Sequence, residues 1–333
     1  MTLIDAIFIN NGGGKILLDY LIEVLELHRV RVHYLLDNRV KYNHPEISEN
    51  EVTYLKSGLR ARHKFYKLNK NNFSKVLCFG NLPPSLRMKA VVFTYFHQKL
   101  FLVQPKGIPF KQKIVFLIKS RVLASFKKNT DWWMVQTEVM KDMFVKDMKI
   151  ENKRVLIIPF FPPLTIADRK RNPENFIYVS LGHPHKNHNR LLSGFKKFYD
   201  KVNRGQLHLT IGDDSTEIKD SVNLLIEQGY PIINHGFVGR DMLAQLYSEA
   251  SFIIYPSLSE SFGLGIIEAI ENGCNVIGAD MPYTYSVCNP SLVFNPLDVD
   301  SIADSFESAM NDEIPTTEQL VFNEINKLIA LLN

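Results

Sequence analysis

The sequence predicts an α/β protein of two Rossmann-like domains, each a parallel sheet with helices on both faces. Three observations carry this. Short, continuously apolar runs recur through both halves and alternate with stretches of helical spacing, as expected for strands buried on both faces. The rhythm breaks once, at "IPFFPPLT" (158–165), and the charge changes sign soon afterwards. At 333 residues the chain is also long for a single core.

In chain order, Leu3–Ile9 is a strand candidate, followed by helical spacing at Ile16, Leu17, Leu21, Val24 and Leu25. Val30–Leu36, Val76–Phe79, Val91–Phe96, Trp133–Gln136 and Val155–Ile158 read as further strands, several ending in turn residues such as Gly80-Asn81-Leu82-Pro83-Pro84. Between them, "KQKIVFLIKSRVLASFKK" (111–128) has an apolar centre with cations at both ends, which predicts an amphipathic helix. The second half repeats the rhythm with strands at Phe176–Ser180, Leu207–Ile211, Ile232–Phe237, Phe252–Tyr255 and Asn275–Gly278. The domains are expected at 1–162 and 163–312, with a helical segment at 313–333 packing back towards the first. Open α/β sheets take ligands beyond the carboxyl ends of their strands, so chemistry is expected in a central cleft faced by both sheets.

The apolar fraction of 45% and charged fraction of 22% are those of a globular protein. Cys78, Cys274 and Cys288 are odd in number and widely spaced, which suits neither a disulfide framework nor a metal site. With no basic leader and no apolar run near the ~18 residues that span a bilayer, a cytoplasmic protein is expected. Residues 1–170 hold 29 Lys and Arg against 14 Asp and Glu, and the remainder holds 10 against 21. From Val52 to Thr130 there is no acidic residue among 17 basic ones, so an anionic partner is expected. No helix-turn-helix, zinc or RNA-binding signature accompanies the charge, which speaks against nucleic acid.

The most informative stretch is "YPSLSESFGLGIIEAIENGCNVIGAD" (255–280). A glycine-containing loop that opens a helix presents backbone N–H groups and the positive dipole end to an anion. Glu260 and Glu268 flank that loop, and a carboxylate suits a vicinal diol because both its oxygens accept. Phosphate and hydroxyls together suggest a nucleotide sugar.

Pro256-Ser257, Glu260-Ser261-Phe262-Gly263-Leu264, Glu268-Ala269 and Gly273 resemble the signature of the family 4 glycosyltransferases, with two glutamates separated by seven residues. The resemblance implies a retaining, metal-independent enzyme of GT-B fold that needs no cofactor beyond its nucleotide-sugar co-substrate. It implies that Glu260 meets hydroxyls of the donor sugar and Glu268 the nucleotide ribose. Backbone amides at Ser261, Phe262, Gly263 and Leu264 would meet the sugar and diphosphate. "YVSLGHPHKNHNRLLSGF" (178–195) is similar to the family too, and implies that Lys186 neutralises the diphosphate. The family usually has an arginine just after the glycine where His183 stands, so His183, His185 or Arg190 is left to supply the second cation. His183, His185 and His188 flank Pro184 without a carboxylate, which makes a zinc site improbable. Asp213-Asp214 reads as turn chemistry, and "NHGFVGRDML" (234–243) resembles the segment that edges the base near Phe237 and Val238.

In the first half, "VVFTYFHQKLFL" (91–102) is read as a strand ending in His97. The resemblance implies that His97 reaches the sugar or its departing phosphate; the plain alternative is a core histidine bonded to a backbone carbonyl. Gly12-Gly13-Gly14-Lys15 matches neither the triphosphate loop, because Ile16 follows the lysine, nor the dinucleotide fingerprint, because Leu17 replaces its third glycine. It reads as a loop whose Gly13 and Gly14 let backbone approach a diphosphate. Lys111, Lys113, Lys119, Arg121, Lys127 and Lys128 form the expected membrane or acceptor patch, with Leu117, Ile118, Leu123 and Phe126 placed to insert or to pack as core.

The function expected is sugar transfer to a glycan or a polyprenyl-diphosphate-linked acceptor in O-antigen or capsule assembly, at the inner face of the cytoplasmic membrane. A non-catalytic nucleotide-sugar-binding subunit, or an epimerase of the same fold, remains open on sequence alone.

Overall fold

Residues 1–103, 110–165 and 170–333 are described by a computed structural model, which divides the chain into two compact units. One holds the described residues up to Pro162 together with Phe322–Asn333, and the other runs from Pro163 to Val321.

In chain order the first unit contains β1 (Thr2–Ala6), α1 (Gly12–Leu27), β2 (Val32–Asp37), β3 (Glu51–Leu55), α2 (Leu59–Leu68), β4 (Lys75–Cys78), β5 (Val91–Tyr95), α3 (Phe110–Phe126), β6 (Trp132–Val135), α4 (Glu138–Met148) and β7 (Val155–Ile157). Its seven strands lie in the order β3-β2-β1-β4-β5-β6-β7, and every pairing is parallel. All five residues of β1 are buried, because helices cover both faces of a central parallel strand. Strand β3 was not evident in the sequence: it is an edge strand, partly exposed, and its Glu51, Val52 and Thr53 lack the apolar run of the interior.

The second unit contains β8 (Asn172–Tyr178), α5 (His188–Val202), β9 (Gln206–Leu209), α6 (Thr216–Glu227), β10 (Ile232–Asn234), α7 (Arg240–Glu249), β11 (Ala250–Tyr255), α8 (Leu264–Glu271), β12 (Asn275–Ala279), α9 (Pro282–Tyr285), β13 (Cys288–Asn289), β14 (Leu292–Phe294), α10 (Val299–Asn311) and β15 (Glu318–Gln319). Its six-stranded sheet has the order β10-β9-β8-β11-β12-β14, again all parallel, while β13 and β15 form a separate antiparallel pair. The last helix, α11 (Ile325–Leu332), is counted with the first unit. Its Leu328 and Leu332 are buried there; Thr2 donates to the Leu332 carbonyl at 2.8 Å, and Asn323 donates to the Phe161 carbonyl at 2.7 Å.

In each sheet the strand order reverses once, between β1 and β4 and between β8 and β11. Such a switch point leaves a crevice beyond the carboxyl ends of the two strands, where open α/β sheets bind ligands. Four loops therefore matter: those after β1 and β4 in the first unit, and those after β8 and β11 in the second.

The segment after β1 corrects one expectation. Gly12, Gly13 and Gly14 are not a free loop but open α1, with Gly12 at φ 62° making the turn into it. Leu17, Leu18, Leu21, Ile22 and Leu25 bury the helix face and hold this poor helix-forming start in place. Lys15 is directed away from any phosphate role, since its ammonium lies 2.5 Å from Asp19 one turn on.

Candidate active site at the second switch point

The loop after β8 carries Lys186 and the loop after β11 carries Glu260, and the two meet across the switch point. Lys186 Nζ donates to Glu260 Oε1 at 2.6 Å, with both side chains largely buried. Lys186 also lies 5.8 Å from the centre of the Tyr255 ring. Burial by itself would push the Glu260 carboxyl up, but the adjacent Lys186 ammonium outweighs it and holds the group below its ordinary value. An ionised carboxylate is thus paired with an ammonium at the end of the sheet.

The two loops are stitched together through their backbones. Leu258 N–H donates to the His185 carbonyl at 2.8 Å. Tyr178 O–H donates to the Lys186 carbonyl at 2.9 Å, and Tyr283 O–H to the Ser257 carbonyl at 2.7 Å. Asn187 stands in the left-handed region at φ 64°, where asparagine is better tolerated than most side chains. Its buried amide donates to the carbonyls of Pro256 and Pro296. These bonds leave the Lys186 ammonium little freedom, which is the preorganisation electrostatic catalysis requires.

Beyond Glu260 the chain enters α8 through Gly263, whose φ of 80° would strain any residue with a side chain. The N-cap position of α8 is Gly263, which has no side chain to cap with, and the first turn has no acidic residue. Such a helix start offers backbone N–H groups and a positive dipole end to an anion. Ser261 and Leu264 are partly exposed, whereas Phe262 is buried, so its ring packs and only its backbone stands at the loop. Glu268, on the second turn, is buried and pairs with Arg240 at 2.9 Å. Burial raises its carboxyl above the ordinary value despite that cation. Arg240 was missed in the sequence. The only signal was its place in "NHGFVGRDML", at the first position of α7, 28 residues from its partner.

The remaining expected donor contacts are more dispersed within this unit. Phe237 is 85% exposed and Val238 partly so, on the loop after β10. His183 is exposed, and its ring stacks on His185 with centroids 5.7 Å apart. Arg190 donates to Asn187 Oδ1 at 2.9 Å, so it braces the lysine loop. Asp213 pairs with Lys219 at the surface.

In the first unit, β5 ends at Tyr95 and His97 lies two residues beyond it, in the loop. His97 Nε2 faces Asn81, from the loop after β4, and the open side of Gly14, where a Cβ would lie 3.3 Å away. The structure therefore brings Gly14, Asn81 and His97 together at the first switch point. Gly13 is exposed beside them. Trp133 is fully buried, and Trp132 is partly exposed at the start of β6.

The basic patch is more divided than expected. The Lys111 side chain lies outside the described residues. Lys119, Arg121 and Lys128 are exposed; Lys113 is half-buried, and Lys127 donates to the Met148 carbonyl at 2.8 Å. Leu123 is fully buried, which removes it from any surface role, and Phe126 is half-buried.

Several histidines are kept neutral, chiefly by burial: His97, His185 and His208 are pushed down to about 4 and His188 to about 3. Their folded pKa values lie below the unfolded value near 6.5, so the unfolded chain takes up protons first as the pH falls. Stability should be fully present above about pH 6.5 and lost progressively towards about pH 4. Thermal melts at pH 7.5 and pH 5.0 should show a clearly lower Tm at the acidic value, and equal melting would contradict the neutral buried state.

Residues 166–327 match the family described as glycosyl transferases group 1. The matched stretch, just under half of the chain, spans both glutamates and Lys186. Among curated relatives, the O-antigen chain mannosyltransferase RfbU of Salmonella typhimurium is 28% identical over 66% of this chain and 60% of its own length. The serotype-specific mannosyltransferase WbdA of Escherichia coli is 28% identical over 45% of this chain and 19% of its own length. The matched region is thus less than two thirds of either relative. Among solved structures, a sucrose-phosphate synthase from Thermosynechococcus elongatus superposes with a TM-score of 0.72 at 17% identity, covering 93% of this chain and 90% of that one. At that identity the likeness shows the fold, which is GT-B.

Proposed function

We propose that the protein is a retaining glycosyltransferase that moves a sugar from a nucleoside-diphosphate sugar to a glycan or lipid-linked acceptor in bacterial surface-polysaccharide assembly. The observation that carries this is the Lys186–Glu260 pair at the second switch point, with Glu260 four residues ahead of Leu264 at the glycine-capped start of α8. A cation and a helix N-terminus suit the diphosphate, both in binding and as charge gathers on the leaving group. Glu260 suits the hydroxyls of the donor sugar, and Glu268 with Arg240 suits the nucleoside. Lys186 and the α8 amides take the role that a metal ion serves elsewhere. The two curated relatives named above are mannosyltransferases, which favours mannose as the sugar transferred. Retention at the anomeric carbon follows the family resemblance, with the departing phosphate assisting deprotonation of the acceptor.

A thermal-shift panel of nucleoside diphosphates and their mannosyl and glucosyl esters tests this. A specific ligand at a hundredfold excess over its Kd stabilises by about 2.7 kcal/mol, or roughly 5–10 °C for a unit of this size. The mannosyl ester should give the larger shift and release its diphosphate on adding acceptor. Binding without turnover would favour the non-catalytic subunit, and an inverted product would overturn retention.

We also propose that α3 docks on an anionic membrane. Ile114, Val115, Leu117 and Ile118 are all exposed, and at 100° per residue they fill an arc of about 160°. The opposite side holds buried Leu123, and Phe116, whose ring lies 6.2 Å from that of Phe101. The apolar side of the helix thus faces outwards, beside Lys119, Arg121 and Lys128. Each near-surface cation adds about 1 kcal/mol on anionic lipid. No helix of the described residues is long and apolar enough to cross a membrane. Leu117→Glu with Ile118→Glu should cut cosedimentation with phosphatidylglycerol vesicles at least tenfold without lowering Tm. Unchanged cosedimentation would remove α3 from the docking surface.

A further inference from the structure

The hydrogen bonds around His97 determine which of its ring nitrogens carries the proton. The backbone N–H of His97 donates to Asn81 at 2.7 Å, and since an N–H can only donate, the atom facing it is the amide oxygen. The other end of the same side chain, Nδ2, is therefore an NH2 group, and it lies 3.2 Å from His97 Nε2. An NH2 group donates, so Nε2 must receive with its lone pair. In a neutral imidazole the proton then sits on Nδ1. Asn81 is itself held rigidly: it is buried, and its backbone is in the left-handed region at φ 66°. The two carbonyls that follow it, of Leu82 and Pro83, each accept from buried Arg62 at 2.7 Å.

His97 Nδ1 is shut off from solvent and has no hydrogen-bond partner among the described residues. The same holds for Nε2 of Gln136, which is buried just beyond the end of β6. Strands β5 and β6 pair with Tyr95 beside Met134, so two steps further on His97 and Gln136 stand at neighbouring strand ends. Buried N–H donors are nearly always paired, and two left unpaired at one rim of a parallel sheet suit a ligand oxygen.

We propose that Asn81 is a positioning residue that holds His97 as the Nδ1–H tautomer, so that the first unit presents N–H donors from His97 and Gln136, and no basic nitrogen, to a substrate oxygen. This rests on reading His97 as facing substrate. It assigns His97 to hydrogen bonding and excludes it as a general base through Nε2, which Asn81 and Gly14 enclose.

Long-range 1H–15N correlation spectra of the full chain labelled with [15N]histidine read the tautomer directly. At pH 8.5 the wild type should show His97 with its proton on Nδ1. Asn81→Asp keeps the shape but replaces the NH2 group by an acceptor, so its His97 should carry the proton on Nε2. Transfer by Asn81→Asp at pH 8.5 should then fall to within about threefold of His97→Ala, with the far-UV spectrum unchanged. A residue with a merely structural role would leave the tautomer as it was. A wild-type proton on Nε2 would overturn the proposal and still leave His97 a site residue. Full transfer by His97→Ala would instead sink the reading on which it rests, whatever the tautomer. Should Asn81→Asp fail to fold, the wild-type spectrum alone decides.

Discussion

Lys186→Ala is expected to lower kcat/KM for transfer by about 10²–10³-fold, the range seen when one preorganised donor is removed from a site of developing negative charge. Two effects combine. The leaving diphosphate loses its cation, and Glu260 loses the partner that keeps it ionised in a buried position. Without Lys186, burial prevails and the Glu260 carboxyl rises, so the residual activity should fall off at a higher pH than in the wild type. Lys186→Arg should not rescue fully, because a planar guanidinium does not occupy the place of a compact ammonium 2.6 Å from one carboxylate oxygen. Glu260→Ala should cost a comparable factor, and the double variant much less than the product of the two, since the pair acts as a unit. Initial rates of nucleoside diphosphate release, with circular dichroism as the fold control, check this. A loss below about threefold for Lys186→Ala would remove it from the chemistry.

The residues of that pair were legible in the sequence, because the motif types them, but their direct contact was not. Lys186 and Glu260 are 74 positions apart and meet only because β8 and β11 are adjacent in the sheet, with β9 and β10 placed on the far side of β8. Arg240 and Glu268 likewise meet from separate helices, 28 positions apart, and Asn81 meets His97 at the ends of neighbouring strands β4 and β5; neither contact leaves a periodic trace. Interior strands were evident from their unbroken apolar runs, whereas the edge strands β3 and β14 were not, since an edge needs fewer apolar residues. In α3 the run "KIVFLI" is apolar on nearly every side, so its spacing does not say which face is covered. The fold buries Leu123 and leaves Ile118 outside.

Arg62→Met is expected to destabilise the first unit by about 3–5 kcal/mol, the cost of leaving a buried charge without its partner. One of the 17 cations of the acid-free span, Arg62 is 2% exposed and belongs to the interior. Its Nε donates to Asp5 at 2.7 Å, and Asp5, in β1, also accepts from the Tyr66 hydroxyl. The remaining guanidinium nitrogens reach the carbonyls of Leu82 and Pro83. One side chain of α2 thus joins β1 to the loop after β4, the two sides of the first switch point. With methionine in its place, Asp5 keeps only neutral donors among the described residues, and the carbonyls of Leu82 and Pro83 each lose a charged side-chain donor at the loop that orients His97. For a unit of this size the loss corresponds to a Tm lower by roughly 6–20 °C. Adding Asp5→Leu should recover part of it, because an apolar pair of similar volume removes the stranded charge. Activity measured well below the lowered Tm should still fall, since the loop carrying Asn81 has lost its anchor. Urea unfolding followed by near-ultraviolet circular dichroism distinguishes these outcomes: a double variant no more stable than Arg62→Met would place the main cost in the loop carbonyls and not in Asp5.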